Sequence, residues 1–291
     1  MPLELAETDA STLALLSNAP LDPAYPVAMP PDPVYPGQTR VPLAHPLDEI
    51  ATPAVWSRLA LPLERALESL WETLALRDGA RPSLWVAIHY GRIALNAHAW
   101  ERLRARAAGE APDPGLVEPA QGIAGRVSDR LESLRSGLGR RRLAKRIERA
   151  ERARIALLRR VAEIEPADLD AGELARGPLD ERSWTELLVP GLGRRLTDPL
   201  AAELDPALRA ALALEQRCTA ELGLRLAARC TLASPTQAVF LTVPERIRAA
   251  LDGASHWSEL AALRQERVEQ FAKLDVPREF FGRPRVGWEK A

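Results

Sequence analysis

The octapeptide "HYGRIALN", residues 89–96, holds the residue types best suited to gripping a small anion. An imidazole at His89 and a guanidinium at Arg92 can each donate to a phosphate or carboxylate, and the Asn96 amide can satisfy a carbonyl or a ligand. The same spacing suits an ordinary hairpin with a polar turn, and the residues alone leave both readings open. Trp56, with Trp71 and Trp85, would form an apolar wall beside such a site, although tryptophans at these positions equally serve a core. "GLGRR" occurs twice, at 137–141 and 191–195. Its glycines could form a backbone nest for an anion, with Arg140, Arg141, Arg194 and Arg195 closing over it. The plain alternative is a glycine helix stop followed by a charged restart.

Signatures of the common catalytic classes are missing. The histidines His45, His89, His98 and His256 are scattered, none falls in a His-Glu-x-x-His run, and none pairs with a cysteine at ligand spacing, so no metal site is expected. There is no dinucleotide fingerprint after a strand, no Walker loop and no nucleophile elbow. That removes a positive case for catalysis without excluding a triad assembled in space.

The elements that must position these residues are mostly helical. Apolar residues make up 46% of the 291, aromatics only 5%, so the core must be Leu, Ala and Val, which suits packed helices. The expected fold class is mainly α: a multi-helix domain with a small β-hairpin or short strands near 84–96 and 238–242. Residues 1–46 form a proline-rich N-terminal arm, with helix and central strand excluded over 20–46 because each proline loses a donor. Residues 47–285 form the helical domain and 286–291 a tail. Thr52 and Pro53 start a helix whose apolar face is Leu63, Leu67, Leu70, Trp71 and Leu74. A hairpin follows, turning at Gly91. After a loop at 109–125 comes a long helix broken near Gly137–Gly139. Asp198-Pro199 and Asp205-Pro206 start further helices, the second reaching about Ala233. After a strand at 238–242, Thr242 and Glu245 stand in capping-box spacing, and a last helix covers 258–274.

Charge and cysteine usage narrow the setting. A formal net charge of −1 gives no global reason to seek nucleic acid. Cys218 and Cys230, if on one helix, lie roughly 18 Å apart, beyond disulfide reach. Acidic residues stand where a signal peptide needs positive charge, and no run approaches a membrane span, so a cytoplasmic location is expected. The densest charge is "RRRLAKRIERAERARIALLRR", 140–160, with ten basic residues against Glu148 and Glu151. Leu143, Ile147, Ala150, Leu157 and Val161 would form its buried stripe. Either its outward face is simply solvated, or it binds an acidic partner. Nothing aromatic is interleaved to stack on bases, which argues against nucleic acid.

The segment "ELGLRLAARCTLASPTQAVFLTVPERIRAALDG", 221–253, followed by "LAALRQERVEQFAKLDVPREFFG", 260–282, resembles the end of the helical middle region of phosphoenolpyruvate-utilising enzymes, the group of phosphoenolpyruvate synthase and rifampicin phosphotransferase. "TPAVWSRL", 52–59, is similar to that family's Thr-Pro-x-x-Trp-Ser, and "YGRIALN", 90–96, to its Gly-Arg-x-Tyr-x-Asn. The chain departs from the pattern where Cys230 replaces a common glycine, Ala94 a common aromatic, and where acids are missing from "ASPTQAVF". In the family an ATP-grasp domain precedes this region and a phosphohistidine domain follows; neither is expected within this chain.

The resemblance therefore implies a stand-alone acceptor-binding or scaffolding subunit, not a phosphotransferase by itself. ATP and Mg would enter only through partner proteins carrying the ATP-grasp and phosphohistidine domains, and the acceptor would be a small apolar molecule. The alternatives are a small-molecule enzyme with a repurposed apolar pocket near Trp56, His89 and Arg92, or an interaction protein using the 140–160 helix.

Overall fold

A computed structural model describes residues 37–39, 51–74, 85–89, 91–109, 123–197, 206–275, 279–281 and 287–288, with backbone alone over 37–39, 87–89, 97–98, 123–136 and from 274 on. The chain is mainly helical. Helix α1 (Pro53–Thr73) opens with Thr52 at the N-cap and Pro53 in the first turn. Its apolar face, Leu59, Leu63, Leu67, Leu70 and Leu74, is fully buried, as a 3.6-residue period demands. It lies against α5 (Glu181–Thr197), which also packs on α3 (Ile123–Glu163). Between them in sequence stand α2 (Ala97–Ala108) and α4 (Ala171–Arg176). The second half of the chain adds α6 (Pro206–Ala228), α7 (Val243–Asp252) and α8 (His256–Ala272).

A small antiparallel sheet sits beside the helices. Strands β2 (Val86–His89) and β3 (Arg92–Asn96) form the expected hairpin, with Gly91 at φ +72°, a conformation open to glycine at little steric cost. The sheet order is β2-β3-β1-β5, with β1 at Gly37–Thr39 and β5 at Glu279–Phe281. A central strand within 20–46 was excluded on proline content. That expectation fails at 37–39, a proline-free gap between Pro36 and Pro42 in which each residue keeps its backbone N–H. Two further short strands, β4 (Leu274–Asp275) and β6 (Gly287–Trp288), pair with each other. The rest of the arm, residues 110–122 of the expected loop, Asp198-Pro199 and most of the tail lie outside the described residues; the loop expected as far as 125 has already given way to α3 at Ile123.

Three further expectations are corrected. Helix α3 runs unbroken for 41 residues through Gly137 and Gly139. Glycine weakens a helix by about 1 kcal/mol relative to Ala, a cost offset by the packing of α3 on α5 and α1; a Cβ on Gly139 would stand 3.4 Å from the Leu74 carbonyl oxygen, an ordinary van der Waals distance. The 238–242 run is not a strand: Pro235–Phe240 form a 3-10 helix. Ser234 caps it, Pro235 sits at its first position, and Gln237 reaches back so that its Oε1 accepts from the Ala233 N–H at 2.8 Å. Ser-Pro-x-Gln is a helix-start signal, and it overrides the β-propensity of "AVF".

Helix α6, finally, ends at Ala228 and not near Ala233. The Thr231 N–H donates to the Leu226 carbonyl and the Cys230 N–H to that of Ala227, which is the Schellman stop. Its left-handed position is held by Cys230 at φ +58°, where glycine fits without strain. Cys230→Gly is expected to raise stability by about 1 kcal/mol, read as a rise of roughly 2–4 °C in the melting temperature.

Candidate ligand-binding cleft

The first turn of α1, the middle of α6, the 235–240 3-10 helix and Gln265 of α8 surround a cleft of about 730 Å³. Its walls are mostly apolar: Ala51, Ala54 and Val55 on one side, Leu212, Ala220 and Leu224 on α6, and Pro235, Val239 and Phe240 opposite. Such a volume lies within the range of small-molecule sites. Few polar groups punctuate it. Glu215 and Thr219 line it from buried positions, while Gln216, Thr236 and Gln265 are exposed and Thr52 stands at the start of α1. Thr52 makes no side-chain cap bond.

Local packing explains why the cleft exists. Gly223 lets the Pro235 carbonyl rest directly on α6; a Cβ there would overlap that oxygen. The 3-10 helix is thereby held close at its first residue. Val239 and Phe240, one turn on, remain only half-buried and face the cleft.

Below the cleft lies a cluster of buried charge. Glu215 accepts from Arg246 at 2.7 Å, and Arg58 approaches the same carboxylate at 3.4 Å. The side chains of Arg58, Glu215 and Arg246 are 10%, 4% and 0% exposed. Arg246 also donates to the Thr219 hydroxyl at 2.6 Å, and Thr219 donates to the Glu215 carbonyl at 2.8 Å. Arg58 completes the cluster by donating to the Arg176 carbonyl at the end of α4. Four helices are thus tied by two guanidinium groups around one carboxylate. Burial holds the Arg58 guanidinium below its ordinary value, partly offset by Glu215. The adjacent Cys218 thiol is pushed up to about 11, first by burial and then by Glu215, so it stays protonated and inert at neutral pH.

A second buried pair fixes the entry to α7. Glu245 accepts from the Thr242 N–H and hydroxyl, each at 2.8 Å, fulfilling the capping spacing read from the sequence. Arg264 binds the same carboxylate through two nitrogens, at 2.5 and 2.7 Å, and donates to the Phe240 carbonyl at 3.1 Å. Burial raises the Glu245 pKa, but Arg264 and the Thr242 bonds together outweigh it and hold this group below the usual carboxylate range. Ser57 accepts from the Val243 N–H at 3.0 Å, so the "TPAVWS" and "TVPERIR" segments meet at this point. The hairpin joins them through the Ala51 N–H, which donates to the Gly91 carbonyl at 2.8 Å.

The residues singled out in the sequence fall elsewhere. Trp56 is core, 2% exposed, and its neighbours Ala54 and Val55 face the cleft in its place. Trp71 and Trp85 pack edge to face in the interior, 5.4 Å between ring centroids. Asn96 caps α2, its side-chain oxygen accepting from the Ala99 N–H at 3.0 Å. Arg92 donates to the Phe271 carbonyl at 3.2 Å, tying the hairpin to α8. His89 pairs with Arg92 across the hairpin in backbone register, and its side chain lies outside the described residues.

Both "GLGRR" runs lie inside helices, α3 and α5, so neither forms a glycine nest or a helix stop. The second run uses its glycine for packing: a Cβ on Gly193 would stand 2.8 Å from Ile147 of α3. Arg140 and Arg141 are exposed on α3, Arg140 bordering a groove of about 360 Å³. Arg194 pairs with Glu151 at 3.0 Å, eleven residues and roughly 16 Å along α3 from Arg140; Arg195 is half-buried on α5. The four arginines therefore do not converge.

What sequence reading missed is the cleft with Glu215 and Thr219. The available signal was a Glu and a Thr four residues apart on an otherwise apolar helical face, a spacing that puts both on one side. Among the described residues no three His, Cys, Asp or Glu side chains group as a metal site, and no helix is long and apolar enough to cross a membrane. No protein-family model, curated protein or solved structure matches the chain.

Proposed function

We propose that this protein is a receptor for a small, mainly apolar molecule carrying one or two neutral hydrogen-bonding groups. The carrying observation is the cleft of about 730 Å³ with apolar walls and buried polar groups confined to Glu215 and Thr219. Apolar area supplies affinity and the few polar groups set orientation. The Thr219 hydroxyl already donates to its own helix and accepts from Arg246, so it offers a ligand its one remaining lone pair. The Gln216 and Gln265 amides can serve either as donors or as acceptors.

This reading accords with the acceptor-holding role that the resemblance to phosphoenolpyruvate-utilising enzymes implies. In the fuller form of the proposal, separate proteins with ATP-grasp and phosphohistidine domains would bring ATP, Mg²⁺ and the phosphoryl group to an acceptor held here. Phosphoryl transfer needs cations around the phosphate and a positioned nucleophile, which those partners would complete.

The test uses N-phenyl-1-naphthylamine, a neutral apolar dye that fluoresces on leaving water. Saturable enhancement at one site per chain is expected. Ala220 is exposed and lines the cleft, so Ala220→Trp fills it without altering the core and should reduce binding at least ~10-fold. A wild-type protein that gives no saturable signal, or an Ala220→Trp variant that binds as well as wild type, would refute the cleft as the site.

A further inference from the structure

The outward face of α3 carries a second recognition feature, independent of the cleft. Arg141, Arg142, Lys145, Arg149, Arg152, Arg159 and Arg160 are all exposed. At 100° per residue they occupy one side of the helix, opposite the buried stripe of Leu143, Ala150 and Val161. Of the other basic residues of the run, Arg140 is exposed but lies off this face, Arg146 reaches Glu186 of α5 at 3.6 Å, and Arg154 meets Glu151 at 2.6 Å. On the outward face Glu148 pairs with Arg152 at 2.8 Å; Asp180, held below the usual carboxylate range chiefly by its hydrogen bonds from Ser183, also feels the Arg160 charge. Lys145 and Arg149 at the centre of the face point to solvent. From Arg141 to Arg160 the cations extend over roughly 28 Å: Arg141, Lys145, Arg149 and Arg152 follow one another at about 4.5–6 Å, and Arg159 and Arg160 come after a gap of about 10 Å.

We infer that this stripe docks an acidic helix of another protein. A helix with carboxylates at every third or fourth position repeats at the interval of Arg141, Lys145, Arg149 and Arg152, with Arg159 and Arg160 placed to meet its far end, and six of the seven cations are arginines, whose fork matches a carboxylate bidentately. Ala153 and Ala156, both exposed on this face, leave low ground at which a second helix axis can approach. Leu138, 53% exposed at the N-terminal end of the stripe, offers an apolar anchor. A nucleic acid is disfavoured because the chain as a whole carries a net charge of −1 and offers no global attraction to a long polyanion. No aromatic residue stands on this face to stack a base.

Fluorescence anisotropy with a labelled, alanine-rich helical peptide bearing Glu at every fourth position tests the assignment. A peptide of equal composition with its Glu distributed around the helix, a 20-base-pair DNA duplex, and phosphatidylserine vesicles serve as competitors. Expected are micromolar binding of the first peptide that weakens with added salt, at least ~5-fold weaker binding of the second, and a loss on the order of 10-fold in Lys145→Glu/Arg149→Glu. Arg209→Glu/Lys273→Glu changes net charge equally at exposed positions elsewhere and should bind as wild type. Should the double reversal unfold, Arg149→Glu alone carries the same prediction at smaller size. Equal affinity for the two peptides, tighter binding of the duplex or the vesicles, or an unchanged affinity on charge reversal would each overturn the inference.

Discussion

Glu215→Gln is expected to destabilise the fold by about 3–5 kcal/mol, while Arg246→Met, which removes a larger and more deeply buried side chain, costs clearly less. The buried cluster holds two guanidinium groups and one carboxylate. Without the carboxylate, Arg58 and Arg246 face each other as uncompensated cations out of water, the situation that makes breaking a buried pair expensive. Without Arg246, the Arg58–Glu215 pair stays neutral, and what is lost is the bonds of Arg246 to Glu215 at 2.7 Å and to Thr219 at 2.6 Å, with no charge left stranded. The double variant Glu215→Gln/Arg246→Met should then be more stable than Glu215→Gln alone, because it removes one of the two stranded charges. Urea denaturation followed by circular dichroism measures all three. Equal losses in the two single variants would mean that the network is held by shape and not by charge.

The next largest effect is expected at Gly223. A Cβ there would overlap the Pro235 carbonyl, which belongs to backbone and cannot swing aside. Gly223→Ala must therefore push the 3-10 helix off α6, with an overpacking cost of about 1–3 kcal/mol. The same shift moves Val239 and Phe240, which form one wall of the cleft, so dye binding should weaken together with stability. Gly191→Ala is the matched control: its site in α5 has no atom within 4 Å of the added methyl. There alanine should stabilise the helix by about 0.5–1 kcal/mol and leave the dye unaffected. Melting curves and dye titration of both variants decide the matter, and a Gly223→Ala protein with native stability would show that the helix contact has slack.

The contrast between glycines explains much of what could be read in advance. The apolar face of α1, the Thr52-Pro53 start, the hairpin turn at Gly91 and the Thr242–Glu245 spacing were legible because each depends on neighbours a few residues away. The buried stripe of α3 was legible for the same reason: Leu143, Ala150 and Val161 recur at helical spacing and are buried. The two "GLGRR" runs misled because a local rule, glycine as helix stop, competes with a distant one, glycine as the place where two helices touch. Gly139 meets Leu74, and Gly193 meets Ile147; neither partner can be inferred from the pentapeptide. Asn96 and Arg92 misled in a similar way. A residue able to bind a ligand is equally able to satisfy the N–H groups of α2 or the carbonyl of Phe271, and only packing chooses between them.

Sequence alone determined the helical class, most helix starts and the amphipathic faces, since these follow from the backbone geometry and solvation of short segments. Tertiary structure decided that Arg58, Glu215 and Arg246 would share one buried site, that Pro235 would rest on Gly223, and that a cleft would open beside them. Those features join residues 31 to 157 positions apart or depend on which small side chain a packed neighbour leaves room for. Local propensity has no reach over such distances; close packing does.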